Sequence, residues 1–336
     1  MKCQPVQMIG VGSPVVDLVA EIEDGMLAAV PGEKGGMQLV DSLTLQNLVQ
    51  QVEGRTIMAP GGSAGNTTFA LARMGMRCAF MGKVGHDANG SYYRELFRKI
   101  GGECSRFKTD GHKPTACCLS MVTPDSERTL RTDLGAAADF TPQDIRRNDF
   151  HGCRHVHVEG YLLFNRELLE AILAAARAQN CTVSLDLGSF EVVEACGDIL
   201  PALLEDSVDI VFANEREAAA FCGTPEPRAG LDALGRYCPV AAVKIGADGA
   251  WLKDAEGTVH VPALEAQRTV DTTGAGDYWA AGFLFGYLNR YSLLHCGRLA
   301  SLLGSHVVQH MGAYLPDRAW DRIILETTRI LMEEKP

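Results

Sequence analysis

Nowhere in the 336 residues is there a run of about 18 apolar residues, the shortest that spans a bilayer as a helix, so no membrane span is expected. Basic residues are in deficit: 31 Lys and Arg stand against 42 Asp and Glu, a net charge of −11. Such a surface repels polyanions, which speaks against nucleic acid and anionic membranes as partners. It does not exclude a small anion, because a local cluster of backbone N–H groups outweighs a distant global field. No C-x-x-C pair occurs among the 11 cysteines, and only Cys117 and Cys118 lie close together. An odd number scattered through a long chain is no disulfide framework and reads as reduced, mostly buried thiols. The N-terminal stretch, with Lys2 alone and Asp17 breaking the apolar residues, lacks the form of a secretory signal, so the expected compartment is the cytoplasm. Internal repeats and low-complexity tracts are missing too. Aromatics reach only 7%, yet hydrophobic residues make up 46% and charged ones 22%, the composition of a soluble globular protein. At about 150 residues per domain the length allows roughly two domains, although single α/β domains also reach it.

Periodicity then gives the architecture. Residues 6–11 form an apolar run ended by Gly10 and Gly12, which predicts a buried first strand. Residues 15–23 continue extended, and 37–40 are expected to pair with them after a turn. Helical spacing appears at 42–52, under a cap at Asp41 or Ser42, and again at 64–74 and 91–100, with a strand at 78–84. Residues 104–132 are rich in β-forming and polar types and show no helix. After Pro142, strands at 155–159, 182–186, 210–213 and 240–245 alternate with helices at 167–179, 192–204, 215–222 and about 230–237. Strands at 250–252 and 258–261 and helices from 274 and 293 follow. This alternation predicts a parallel sheet with helices on both faces. The β-rich stretches 13–40 and 104–132 interrupt it and are expected to assemble into one small sheet. The main α/β domain would then comprise 1–12, 41–103 and 133–336.

The sharpest motif is Asp271-Thr-Thr-Gly-Ala-Gly-Asp277, followed by an apolar helix. Gly274, Ala275 and Gly276 would present backbone N–H groups at a helix N-terminus, where orphan donors and the dipole favour an anion. Asp277 lies in the first turn beside that pocket. A helix-start carboxylate is common by itself, but an anion hole with a carboxylate beside it is what phosphoryl transfer needs. A second glycine segment, Pro60-Gly61-Gly62-Ser63-Ala64-Gly65-Asn66, also enters a helix. Paired glycines let a polyol approach the backbone and Asn66 can exchange hydrogen bonds with hydroxyls; a glycine turn plus helix start is the plainer reading. No Lys-Ser/Thr follows, so this is not a P-loop.

Asp17 in an apolar stretch either caps a turn or accepts from a ligand. Gly10, Gly12 and Val15 begin like a dinucleotide fingerprint, but Val15 replaces the third glycine and an extended stretch follows, which argues against a dinucleotide-dependent oxidoreductase. Asn214 and Glu217 follow a strand at the carboxyl end of the sheet and either order Mg²⁺-bound water or form a capping box. Lys244, Gly246 and Gly249 suit a nucleotide or a hairpin. Arg128 and Arg131 lie in the expected small sheet, as phosphate clamps or as solvated arginines. His155 and His157 share one face of a strand, without further ligands at metal spacing.

Together these segments resemble the PfkB, or ribokinase-like, carbohydrate kinases, and within them look closest to adenosine kinases. The two glycine segments, residues 214–217 and 244–249 stand in the family's order, so the likeness covers nearly the whole chain. The resemblance implies a three-layer α/β/α Rossmann-like domain with a small β-sheet lid. It implies Asp277 as base on a primary hydroxyl and Gly274, Ala275 and Gly276 as the anion hole. Asp17, Gly61, Gly62 and Asn66 would hold ribose hydroxyls, and Arg128 would reach the phosphates. Asn214 and Glu217, with Lys244, Gly246 and Gly249, would serve Mg·ATP. A K⁺-type monovalent cation near Asp271 and Thr273 is a feature of several relatives.

Two positions depart from the adenosine kinases. Ser13 stands where they usually have Asn, and Leu162 replaces an aromatic that stacks on the purine, with Tyr161 beside it. The expected activity is therefore transfer of the ATP γ-phosphoryl group to a nucleoside or furanose sugar. A plain fructose- or ribose-type sugar kinase is the alternative, and a non-catalytic sugar or nucleotide sensor the alternative of another class. The expected partner is this small substrate, with a monomer or a homodimer joined through the lid.

Overall fold

The computed structural model describes residues 6–28, 30–52, 54, 56–125 and 127–333, so Lys2, Cys3 and Ser126 lie outside the described residues. Eight strands form the main sheet, in the order Thr258–Val261, Ala250–Lys253, Val240–Lys244, Ile210–Asn214, Thr182–Asp186, His155–Glu159, Met8–Val11, Cys78–Met81. The last six run parallel, and the first two close one edge as antiparallel hairpins. Strands Met8–Val11, Cys78–Met81 and His155–Glu159 are buried throughout, as a parallel sheet covered on both faces requires. Alternate residues feed two cores: Met8 and Phe212 pack with the helices Ser63–Arg73, Ala275–Leu288 and Leu293–Val307, whereas Ile9, Val11 and Val211 pack with Arg166–Arg177 and Phe190–Cys196.

A second sheet of five strands has the order Met37–Leu39, Arg128–Asp133, Cys117–Val122, Val15–Glu21, Thr56–Gly61. Its makeup differs from the sequence expectation in three ways. Strand Met37–Leu39 pairs in parallel with Arg128–Asp133, not with the strand after Ser13. Thr56–Gly61, from a stretch assigned to the main domain, supplies an edge by pairing with Val15–Glu21. Lys108–Asp110 leaves for a separate ribbon with Lys83–Gly85. The edge strand is hard to read because Pro60 and Gly61 look like a turn, and proline is tolerated in sheets mainly at edges. Helix Ser42–Gln51 buries Leu45 and Leu48 against the same sheet, with Leu119 and Met121.

The helix expected at 192–204 is two, Phe190–Cys196 and Leu200–Ser207, separated at Gly197 with Pro201 in the first turn of the second. A further helix, Asp317–Met332, buries Trp320 and Ile323. His155 and His157 are core histidines: Ser184 Oγ lies 2.8 Å from both His155 Nε2 and His157 Nδ1. Burial pushes them down to about 3 and about 4, so both are neutral. Among the described residues no helix is long and apolar enough to cross a membrane, and no cluster of three His, Cys, Asp or Glu is placed to hold a metal ion.

Candidate active site at the carboxyl ends of the strands

Four neighbouring strands end on Glu159, Asp186, Asn214 and Lys244, side by side at the carboxyl edge of the sheet. Open α/β sheets bind ligands beyond this edge. Helix Ala275–Leu288 starts above it, after Gly274 at φ 71°. Ala275 N–H donates to Thr272 O at 3.1 Å, whereas among the described residues the amides of Gly274 and Gly276 donate to no protein group outside their own helix. Of the three donors expected in the anion hole, Ala275 is thus already engaged by the turn.

Asp277 occupies the first turn of this helix. Its Oδ1 accepts from Ser63 Oγ and its Oδ2 from Asn66 Nδ2, each at 2.8 Å, and its carbonyl accepts from Thr67 Oγ1 at 3.1 Å. The two glycine-led segments, far apart in sequence, therefore meet at one carboxylate. Burial pushes the Asp277 carboxyl up to about 6, helped by Asp186, while the Asn66 and Ser63 donors and Lys244 pull it down.

Toward the small sheet lies Asp17, on strand Val15–Glu21. A Cβ on Gly61 would collide with its carboxylate, so glycine is what lets the strand Thr56–Gly61 pass this close. Burial pushes Asp17 up to about 7, against the Arg128 guanidinium and with the Asp277 and Asp271 charges. Glu159, which sequence reasoning missed, is buried here as well. It accepts from Ser13 N at 2.8 Å and Ala64 N at 3.2 Å, and burial pushes it up to about 7 against those donors. The Ser13 backbone is thus tied to Glu159. Leu162 is buried in the core with residues of helix Arg166–Arg177, whereas Tyr161 is 41% exposed. Burial, with Glu159 and Asp277 nearby, pushes the Tyr161 phenol up to about 12.

On the opposite side, Lys244 Nζ pairs with Asp186 Oδ2 at 2.9 Å. Burial opposes the ammonium, but Asp186 and Glu217 outweigh it and raise its pKa. Asp186 is a second residue missed from sequence; its only signal was its place at a strand end. Asn214 and Glu217 form the capping box: Asn214 N and Nδ2 donate to the Glu217 oxygens at 2.8 and 2.7 Å, and Glu217 N returns a bond to Asn214 Oδ1 at 2.9 Å. Burial, then Asp186, pushes Glu217 up to about 7. Gly246 faces open space, while Gly249 backs onto the neighbouring strand at Val261, so Gly249 serves the hairpin.

Arg128 and Arg131, three residues apart on one strand, point to opposite faces. Arg131 is buried and donates to the carbonyls of Pro31, Gly36 and Leu130, holding a loop of the small sheet. Arg128 reaches across to the main domain, with Nε 3.6 Å from Asp271 Oδ1. Asp271 also accepts from Thr273 N and Oγ1 at 2.9 and 2.6 Å and from Gly312 N at 2.8 Å. Both of its oxygens are thus taken by protein donors, and the expected monovalent-cation site gains no support from them.

Comparison with known proteins gives the family. The pfkB family carbohydrate kinase profile matches residues 40–320. An aminoimidazole riboside kinase of Salmonella typhimurium is 30% identical over 250 residues, 71% of this chain and 77% of that protein. A probable sugar kinase of Rhizobium etli superposes with a TM-score of 0.88 at 30% identity, over 98% of this chain and 100% of the other. An adenosine kinase of Sinorhizobium meliloti gives 0.86 at 32% identity, over 97% and 99%. The chain belongs to the pfkB family of carbohydrate kinases and is a phosphotransferase acting on a hydroxyl group.

Proposed function

We propose that this enzyme transfers the γ-phosphoryl group of ATP to a primary hydroxyl of a nucleoside or furanose sugar, with Asp277 as general base. The observation that carries this reading is the position of Asp277, in the first turn of a helix with free amides and bonded to Asn66 of the second glycine segment. The acceptor hydroxyl would take the place of one of the donors now on the carboxylate. As its oxygen bonds to the γ-phosphorus, its proton passes to Asp277, the bond to the β-phosphate oxygen breaks and ADP departs. Gly276 N–H and the helix dipole favour the charge on the transferred group.

Asp17, Gly62 and Asn66 would hold the acceptor's other hydroxyls, and the small sheet would serve as the lid that carries Asp17 and Arg128. Asn214 and Glu217 would hold a magnesium ion through its waters, with Glu217 buried beside the Asp186 charge and its two oxygens accepting from Asn214 until the ion binds. A magnesium ion held by these residues would neutralise phosphate charge. The relatives include an aminoimidazole riboside kinase, an adenosine kinase and a probable sugar kinase, which supports the substrate class. A plain sugar acceptor is the second reading, favoured by Leu162, which stands where the adenosine kinases carry a purine-stacking aromatic and is itself buried in the core. The test is ADP release from ATP with ribose, fructose, adenosine, inosine and guanosine in turn. Turnover with adenosine or another nucleoside is expected; turnover confined to free sugars selects the second reading, and binding without turnover across the panel refutes both.

A further inference from the structure

Two consecutive tyrosines of helix Ala88–Lys99 reach across to the edge strand of the small sheet. Tyr92 Oη donates to Met58 O at 3.1 Å, and Tyr93 Oη donates to Gly61 O at 3.0 Å in a buried bond. The Tyr93 ring is held among Phe69, Phe80 and Phe107, with centroids 5.3, 6.1 and 6.0 Å away. Burial, then the Glu159 and Asp17 charges, hold its phenol well above the ordinary value, so it keeps its proton and serves as a donor. A Cβ on Gly65 would collide with Tyr93 Oη, so the start of helix Ser63–Arg73 leaves room for this hydroxyl.

The carbonyl that Tyr93 holds belongs to the peptide joining Gly61 to Gly62. A peptide between two glycines has no Cβ on either side to resist its rotation, and Gly62 already lies at φ 86°. The unit is planar and trans, so its N–H points opposite to its C=O. A hydroxyl bound to Gly61 O therefore sets the direction of Gly62 N–H. Outside the strand ladder, that N–H donates to no protein group among the described residues. We propose that Tyr93 is a positioning residue whose hydroxyl locks the Gly61–Gly62 peptide, so that Gly62 N–H is presented to a hydroxyl of the acceptor. The proposal rests on the kinase reading above, in which Gly62 holds such a hydroxyl. Tyr93 touches neither substrate nor reacting atoms; its effect is that the glycine pair is ordered before the acceptor arrives.

The rival reading is a hydroxyl that merely satisfies a buried carbonyl and ties the strand to the helix. It predicts lower stability on removal, with acceptor kinetics unchanged. In the full chain, Tyr93→Phe keeps the ring among its neighbours and deletes the hydroxyl alone. Acceptor KM is expected to rise about fivefold, the scale of one neutral hydrogen bond. The kcat and the KM for ATP should stay within about twofold, the mark of uniform binding of the acceptor. Deoxy forms of the working acceptor, each lacking one secondary hydroxyl, locate the bond. The KM penalty for one of them should shrink in Tyr93→Phe, because both changes weaken the same contact. Tyr92→Phe removes the companion bond to Met58 and should leave acceptor KM within about twofold. An acceptor KM within about twofold of the parent in Tyr93→Phe, deoxy penalties that do not change, or an equal rise in Tyr92→Phe overturns the proposal.

If Tyr93→Phe does not fold, Gly65→Ala decides, because its methyl group pushes the hydroxyl off Gly61 O and leaves the phenol in the chain. Acceptor KM should rise there too with kcat kept; an unchanged KM overturns the assignment. A parent enzyme inactive on every acceptor refutes the kinase reading instead, whereas an active parent with an unaltered Tyr93→Phe refutes only this inference.

Discussion

Asp277 shows how a single side chain is tuned. Its two oxygens each accept one hydrogen bond, from Ser63 and Asn66, which hold the carboxylate in a fixed plane and favour its charged form. Burial and Asp186 act the other way, and the result is a carboxyl near 6. A base with this pKa is mostly ionised at neutral pH yet still attracts a proton in the transition state. Asp277→Asn should therefore cost roughly 10²–10⁴ in kcat, the usual contribution of a positioned base. Nucleotide affinity measured by calorimetry should survive, because the amides of the helix start remain. The pH dependence follows from the same balance. With Asp277 as the proposed base, only its ionised form accepts the proton, so kcat/KM should fall as pH drops through about 6. A profile flat from pH 8 to pH 5 would remove Asp277 from the role.

At the scale of elements, the site is assembled by two helix starts and a row of strand ends. Segments 61–66 and 274–277 each carry a local pattern of small residues before an apolar helix, which made them visible in the sequence. Their meeting at Asp277 is a matter of tertiary packing between helices Ser63–Arg73 and Ala275–Leu288, and no local signal reports it. Glu159 and Asp186 carry no pattern at all: each is a single carboxylate closing a buried strand, and its neighbours are set by strand order. The strand Thr56–Gly61 was hidden for a related reason. Pro60 and Gly61 look like a turn, and the pairing that makes them an edge strand comes from Val15–Glu21, distant in sequence. That pairing also supplies a test. In Gly61→Ala the new methyl group meets the Asp17 carboxylate and pushes it from its place. Acceptor KM is expected to rise by about tenfold or more, or about 1.4 kcal/mol. The affinity for ATP should hold if, as proposed, Asp17 holds the acceptor. An unchanged acceptor KM with the fold intact would show that Asp17 does not bind the acceptor.

Over the whole molecule, this concentration of carboxyl groups has a thermodynamic consequence. Burial raises Asp17, Glu159 and Glu217 to about 7 and Asp277 to about 6, from ordinary values of 3.8 for Asp and 4.5 for Glu. Between roughly pH 4.5 and 6 the folded state keeps these four protons and the unfolded chain has released them. Three histidines act in the opposite direction: His155 and His157 fall to about 3 and about 4 and His306 is lowered too, so the unfolded chain binds protons there that the folded state does not. Four against three leaves the folded state with the larger proton count, and above pH 6.5 the histidines drop out while Asp17, Glu159 and Glu217 still titrate. Stability should therefore decline as pH rises through this window, the reverse of ordinary acid denaturation. The melting temperature should be higher at pH 5.5 than at pH 8, and fall again only below about 4.5, where the unfolded chain takes up protons at carboxylates that the folded state holds low, such as Asp125 and Asp87. A melting temperature that drops steadily from pH 8 to 5.5 would mean that Asp17, Glu159, Glu217 and Asp277 are ionised in the resting enzyme. The expected profile is the stability cost of burying several acids around one recess, where a phosphotransferase can use their charge.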